Sequence, residues 1–274
     1  STSDAIRHIG AEPVFVDIDP ISRNLDPNEL EGVVNARTKA IVAVHLHGKP
    51  ADMGRMMGIG HRYGIRVVES ATEALGARYL GRQVGAIGDI ACFGCDQHDM
   101  LSSGGDAGIV ITSAPDLAAA LDEVAGFGSP SPHRLHPLRA AVLRVKLRWL
   151  DHDSQVRRQL GYEYQQALAG APVGLPAEDR STQHGYGMFV IRSAFREYLM
   201  QCLLSSQVGT GIHYPIPLHL SLSSRYLNYA PGDFPESEQA SREVLSLPLH
   251  PDMDAADVRY VSESVTAALD FVSR

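Results

Sequence analysis

The basic side chains of this sequence are nearly all arginine, and its only lysines are Lys39, Lys49 and Lys146. Chemistry that needs an amine nucleophile or a Schiff base has to use one of these three. Cys92-x-x-Cys95 has the spacing of a redox or zinc half-site, but no second pair of ligands stands at metal spacing, and buried strand-end thiols are the plainer reading. His45 and His47 alternate onto one side of a strand end, where two imidazoles could share a metal; a structural role competes with that reading, and no metal is expected. Asp17-Ile18-Asp19 has the look of a metal-dependent glycosyltransferase triplet, although its context reads as a strand terminus and turn. His213-Tyr214-Pro215 and Pro217-Leu218-His219 put polar and aromatic side chains on a proline-stiffened loop, where binding residues tend to lie. Histidines that cap loop carbonyls are the alternative there.

The elements that would carry these residues alternate in type over the first half of the chain. Short apolar runs at 13–17 (PVFVD), 40–44 (AIVAV), 65–68 (IRVV), 90–93 (IACF) and 108–112 (GIVIT) predict strands, each apolar enough for a sheet covered on both faces. Helical spacing of Met53, Met56, Met57 and Ile59, and of Leu117, Leu121 and Val124, predicts helices over 52–63 and 116–125. This is the βαβ pattern of a largely parallel sheet. Past a Gly/Ser/Pro-rich stretch at 126–132, residues 138–160 read as one long helix bridging two lobes. A strand at 188–192, a helix at 194–205, the Pro/His loop and a terminal helix at 254–271 complete the pattern. The expected division is a partial large domain over 1–132, a bridging helix over 133–160 and a small C-terminal domain over 161–274.

At 274 residues, 44% hydrophobic and 20% charged, the chain can bury a full core. A net charge of −8 argues against a polyanion such as nucleic acid. No run is long and apolar enough for a membrane span, the start lacks the regions of a signal peptide, and the few cysteines suit a reducing compartment. A cytoplasmic location is expected.

Several strings, in register along the whole chain, resemble the DegT/StrS-type family of sugar-nucleotide aminotransferases. They are GAEPVFVDIDP from Gly10, RTKAI from Arg37, VHLHG from Val44, GARY from Gly76, GRQVG from Gly81, AAVLRVKL from Ala140, GIHYPIPLH from Gly211, GDFP from Gly232 and LSLPL from Leu245. The resemblance implies the aspartate-aminotransferase-like α/β fold: a mostly parallel sheet covered by helices, with a smaller C-terminal α+β lobe. It also implies pyridoxal phosphate as cofactor and amino transfer from glutamate to a keto-sugar nucleotide. The family carries a further N-terminal stretch, including the helix start that binds the cofactor phosphate and an aromatic residue that stacks on its ring, so the chain reads as truncated relative to it.

Set on the family pattern, the strand-end acid-Asp-Ala-Ala-Gln/Glu falls on Glu69-Ser70-Ala71-Thr72-Glu73. Ser70 then stands where a carboxylate normally holds the ring-nitrogen proton, and Glu73 keeps its place. The phosphate serine of the next strand end becomes Gly94, and the Schiff-base lysine becomes Asp99; Gly88-Asp89-Ile90 and Gly105-Asp106-Ala107-Gly108 hold the register on both sides. The sugar-nucleotide loop is implied at His213, Tyr214 and His219. His133 to Arg139 replaces a longer family segment before the bridging helix.

A carboxylate cannot form an imine, so independent transamination is not expected. The expectation is a catalytically impaired member, a pseudoenzyme. The alternatives are a non-catalytic subunit of a homodimer or of a heterodimer with an intact relative, a sugar-nucleotide binding module, and a dehydratase-like enzyme using the pyridoxamine form with Asp99 or His98 as base.

Overall fold

In a computed structural model, residues 2–96, 99–126 and 135–270 are described. In chain order the helices are α1 (Thr2–His8), α2 (Pro27–Val33), α3 (Met53–Tyr63), α4 (Pro115–Ala125), α5 (Pro137–Lys146), α6 (Leu150–Ala167), α7 (Arg196–Ser205), α8 (Pro235–Glu243) and α9 (Ala255–Asp270). The strands are β1 (Ala40–Val44), β2 (Arg66–Ser70), β3 (Arg78–Tyr79), β4 (Arg82–Gln83), β5 (Ile90–Gly94), β6 (Gly108–Ile111), β7 (Thr182–Gln183), β8 (Phe189–Arg192) and β9 (Val244–Leu247).

Local chemistry explains where several of these begin and end. Asp26 and Asp52 accept backbone N–H groups of the first turns of α2 and α3, satisfying donors that a helix start leaves unpaired. Pro27, Pro115, Pro137 and Pro235 open four helices, where the missing N–H costs nothing. Leu80 and Gly81 both adopt positive φ, 47° and 77°, which makes the two-residue turn that joins β3 to β4.

The chain divides into two compact units. One comprises Ser1–Val34, Arg157–Ala177 and Met188–Arg274; the other comprises Asn35–Val156 and Glu178–Gly187. The second unit holds a four-stranded sheet in the order β1-β2-β5-β6, with β1, β2 and β5 parallel and β6 antiparallel to β5. Inward residues Ile41, Ala43, Val67, Ala91 and Phe93 and the Met53, Met56 and Ile59 face of α3 form its core. The same unit carries a small antiparallel sheet, β4-β3-β7. In the first unit, β8 and β9 pair antiparallel, Tyr164 of α6 stacks on Phe189 at 4.6 Å, and Leu199 and Leu203 of α7 are buried, as is the Val258, Val261, Val265 and Leu269 row of α9.

The structure corrects the sequence reading in three places. Residues 13–17 form no strand; an isolated bridge from Ile18 to Leu25 is all the pairing there. The stretch 138–160 is not one helix. At 148 and 149 the backbone bonds shorten from i−4 to i−3 spacing, Arg148 to Val145 and Trp149 to Lys146, and α5 gives way to α6 with no glycine or proline to announce it. Residues 1–34 belong with the C-terminal segments and not with the sheet. Their ties are non-local: the Arg23 guanidinium donates to the Val190 carbonyl at 2.9 Å, and the Phe15 ring packs with Tyr229 and Phe234. The Gly/Ser/Pro stretch, His133 and Arg134 lie outside the described residues, apart from Gly126, the left-handed C-cap of α4.

Asp17, the first acid of the DID triplet, is buried, and its carboxylate accepts the Glu236 and Ser237 N–H groups and the Ser237 hydroxyl at 2.6–2.9 Å. It caps α8 across the sequence, while Asp19 Oδ1 closes a local turn by accepting from Ile21 and Ser22. Replacing Asp17 by Ala is expected to lower unfolding free energy by about 2 kcal/mol; urea unfolding of the two proteins measures it, and an unchanged midpoint would remove this acid from the fold's supports.

Candidate active site

Parallel strands place their C-terminal ends together, and ligands of such sheets bind there. In the second unit the ends of β1, β2 and β5 bring His45 to Gly48, Ser70 to Glu73, Gly94 to Asp96, and Asp99 into this region. Ser70 pairs in register with Cys92, whose thiol donates to the Glu69 carbonyl at 3.5 Å and whose pKa burial pushes up against the lowering effect of Ser70. Cys95 is buried with Leu101 and Leu143; burial first, then Asp99 and Asp96, push its thiol up as well. Both cysteines are free thiols held protonated, which fits packing better than redox chemistry.

Under the strand ends lies a fully buried carboxylate. Glu69 accepts Nε2–H of His45 at 3.1 Å and the backbone N–H groups of Gly85, Ile87 and Gly88 at 2.6–2.8 Å. His45 Nδ1 accepts the Ala51 N–H at 2.9 Å, so the ring proton is on Nε2 and faces the carboxylate. Burial works to raise the Glu69 pKa, but the bonds from His45 and the three amides outweigh it and hold the acid ionised. His45 is thereby committed to Glu69. His47 has φ 59°, and its N–H donates to Glu73. Among the described residues no three His, Cys, Asp or Glu side chains are grouped to hold a metal.

Glu73 is likewise drawn into a backbone clamp. Gly185 N–H donates to the Gly48 carbonyl at 2.8 Å, and a Cβ on Gly187 would stand 2.1 Å from the Glu73 carbonyl oxygen. Only glycine lets these chains approach so closely. Residues 178–187 thus strap onto the turns after β1 and β2, and Lys49 fastens the strap. Its buried ammonium donates to Asp179 Oδ2 at 2.5 Å and Thr182 Oγ1 at 2.6 Å. Burial opposes the charge on Asp179, yet Lys49, Ser181 and Thr182 hold its carboxyl far below the usual range. Lys39 and Lys146 are exposed.

Gly94 and Asp99 meet directly. The Gly94 N–H donates to the Thr72 hydroxyl at 2.8 Å, and Asp99 Oδ2 accepts the Asp96 N–H at 2.7 Å. A Cβ built on Gly94 would lie 2.6 Å from Asp99 Oδ2 and 3.0 Å from Thr72 Cγ2. The carboxylate therefore occupies the space a serine side chain at position 94 would need. His98 lies outside the described residues.

The three loop residues lie in the first unit and differ among themselves. His219 is buried: Nε2 meets Glu238 at 3.1 Å and the ring packs 4.7 Å from Phe234, so it supports the loop from within. His213 Nδ1 meets the Ser246 hydroxyl at 2.7 Å. Tyr214 is half exposed at φ 61°, a conformation that costs energy for a large side chain and clusters at functional sites. Sequence reasoning missed the Lys49 clasp and the Gly48/Gly187 approach as parts of the site. The glycines at 48, 185 and 187 were the available signal.

The sequence profile of the DegT/DnrJ/EryC1/StrS aminotransferase family matches residues 1–266. The chain is 38% identical over 265 residues to the erythromycin biosynthesis sensory transduction protein EryC1 of Saccharopolyspora erythraea, spanning 92% of this chain and 72% of that protein. It is 36% identical over 273 residues to dTDP-3-amino-3,4,6-trideoxy-alpha-D-glucose transaminase of Streptomyces venezuelae, spanning 95% and 72%. The crystal structure of S. venezuelae DesV with a ketimine intermediate superimposes with TM-score 0.93 at 34% identity, covering all of this chain and 76% of that one.

Two expectations follow from the geometry. A group whose folded pKa is depressed contributes stability that is full above its unfolded value, near 4.3 for Glu, and is lost as pH falls through the folded value. Stability should therefore decline on acidification below about pH 4, and Glu69→Gln should lower the melting temperature at neutral pH and flatten that decline, read by thermal unfolding across pH. Gly94→Ala should cost about 1–2 kcal/mol in the native background and distinctly less with Asp99→Ala alongside; equal costs in the two backgrounds would mean the carboxylate does not fill that space.

Proposed function

Because this chain belongs to the DegT/DnrJ/EryC1/StrS aminotransferase family, whose members use pyridoxal phosphate, we propose that it keeps the family's sugar-nucleotide scaffold but does not transaminate by itself. The observation that carries this reading is the Asp99 carboxylate seated over Gly94. An imine needs an amine, and each lysine is accounted for elsewhere: Lys49 in its clasp, Lys39 and Lys146 on the surface. The residues present do not suit the cofactor in other respects either. Ser70 offers a hydroxyl where a carboxylate would hold the ring-nitrogen proton, Gly94 offers no hydroxyl, and Asp99 would repel a phosphate.

What the scaffold retains is the loop of His213 and the strained, half-exposed Tyr214, which suits recognition of a nucleotide sugar without reaction. We assign the protein a role as a non-catalytic family member acting in the cytoplasm, as a homodimer or beside an intact relative, in making the amino sugars of polysaccharides or antibiotics. Among the described residues no helix is long and apolar enough to cross a membrane. The dehydratase-like reading has less support, because Asp99 is already engaged with the Asp96 N–H.

The test is borohydride reduction of the purified chain with pyridoxal phosphate, followed by mass analysis. No pyridoxyl group is expected on Lys39, Lys49 or Lys146, and no visible band should survive dialysis. The combination Asp99→Lys, Gly94→Ser and Ser70→Asp should gain the adduct at position 99. A stable adduct on any lysine of the native chain would overturn the proposal.

A further inference from the structure

Strand β9, VLSL from Val244, is buried along its whole length, and Ser246 is its one polar residue. On the β8 side Ser246 stands opposite Val190, itself buried. An apolar, β-branched side chain would suit such a position, and a hydroxyl there is costly unless it is bonded. A residue that departs from the local rule in a buried strand points to whatever its polar atom holds.

What Ser246 holds is the start of the loop that carries Tyr214. Its backbone is spent on Gly211: the Ser246 N–H donates to the Gly211 carbonyl at 2.8 Å, and its carbonyl accepts the Gly211 N–H at 3.1 Å. Its hydroxyl lies 2.7 Å from Nδ1 of His213, and among the described residues that nitrogen is the hydroxyl's only partner. A Cβ built on Gly211 would stand 3.3 Å from Cε1 and 3.7 Å from Nδ1 of His213, so the imidazole lies over the glycine. One residue of β9 thus fixes both the backbone and the ring of 211–213, immediately before Tyr214 with its φ of 61°.

The place of the ring proton follows from the hydroxyl. A neutral imidazole has one donor and one acceptor nitrogen, and a hydroxyl can meet either. Were Nδ1 the donor, the buried hydroxyl proton would have no acceptor. With the hydroxyl donating, only oxygen lone pairs go unused, which is the smaller loss. Nδ1 is therefore the acceptor, and the proton of the neutral ring is on Nε2.

We propose that Ser246 is a positioning residue of the binding loop: it holds His213 as the Nε2–H tautomer, so that the ring enters the loop as a hydrogen-bond donor suited to the acceptor-rich diphosphate of a nucleotide sugar. The inference rests on the nucleotide-sugar reading of this loop given above and names the residue that sets it.

Nitrogen-15 NMR of the histidine rings of the full chain reads the tautomer directly at about pH 8.5, where imidazoles are neutral; His213→Gln supplies the assignment, and calorimetric titration with dTDP-glucose reads the binding. The native His213 ring should carry its proton on Nε2. Ser246→Ala, small and apolar enough for the buried strand, should give a mixture of tautomers and bind dTDP-glucose roughly tenfold more weakly, and Ser246→Thr, which keeps the hydroxyl, should restore both. An Nδ1–H ring in the native protein, or a tautomer unmoved in Ser246→Ala, would overturn the assignment. A tautomer that shifts while affinity stays the same would remove Ser246 from the binding function. Native protein that takes neither dTDP-glucose nor UDP-N-acetylglucosamine would overturn the nucleotide-sugar reading, while the NMR arm still decides by itself whether Ser246 sets the His213 ring.

Discussion

One buried carboxylate organises the strand ends of the second unit. Glu69 has no exposure to water, and a charge so placed is costly unless every lone pair is used. Here it accepts three consecutive-region amides, Gly85, Ile87 and Gly88, and the imidazole of His45, whose other nitrogen accepts the Ala51 N–H. The turn after β1, the end of β2 and the turn before β5 are thus tied to a single side chain. Removing that anion would strand several buried donors at once, so the positions of Ser70, Thr72 and Gly94 depend on it.

On that support the chain has built a closed arrangement instead of an open one. The strap of residues 178–187 is pressed against the turns by contacts only glycine permits, and Lys49 is spent as its clasp. Asp99 folds onto Gly94, and its carboxylate sits where a side chain at position 94 would otherwise reach. In the first unit, Asp17 caps α8 and His219 props its loop from within.

Much of the second unit was legible from local pattern. The runs at 40–44, 90–93 and 108–112 and the methionine row of α3 fall within a residue or two of the observed elements, because apolar alternation and helical spacing act over a few positions. The PVFVD run failed for a related reason: its strand-like composition found no neighbouring strand, and Phe15 and Asp17 went instead to partners more than two hundred residues away. The break between α5 and α6 carried no Gly or Pro and left no local mark.

The sequence by itself determined the chemical inventory: the place of every lysine, an acid at position 99, a hydroxyl at 70, and the family that these strings belong to. Side-chain identity is fixed covalently, so those limits on reactivity hold in any conformation. Only the tertiary structure decided what each group spends itself on. That Lys49 is neutralised by Asp179, that His45 serves Glu69, and that Asp99 fills the space over Gly94 are contacts between segments far apart or at angles set by the fold. Such pairings appear when non-local chain segments close on one another, and no local pattern of residues encodes which partner a buried polar group will find.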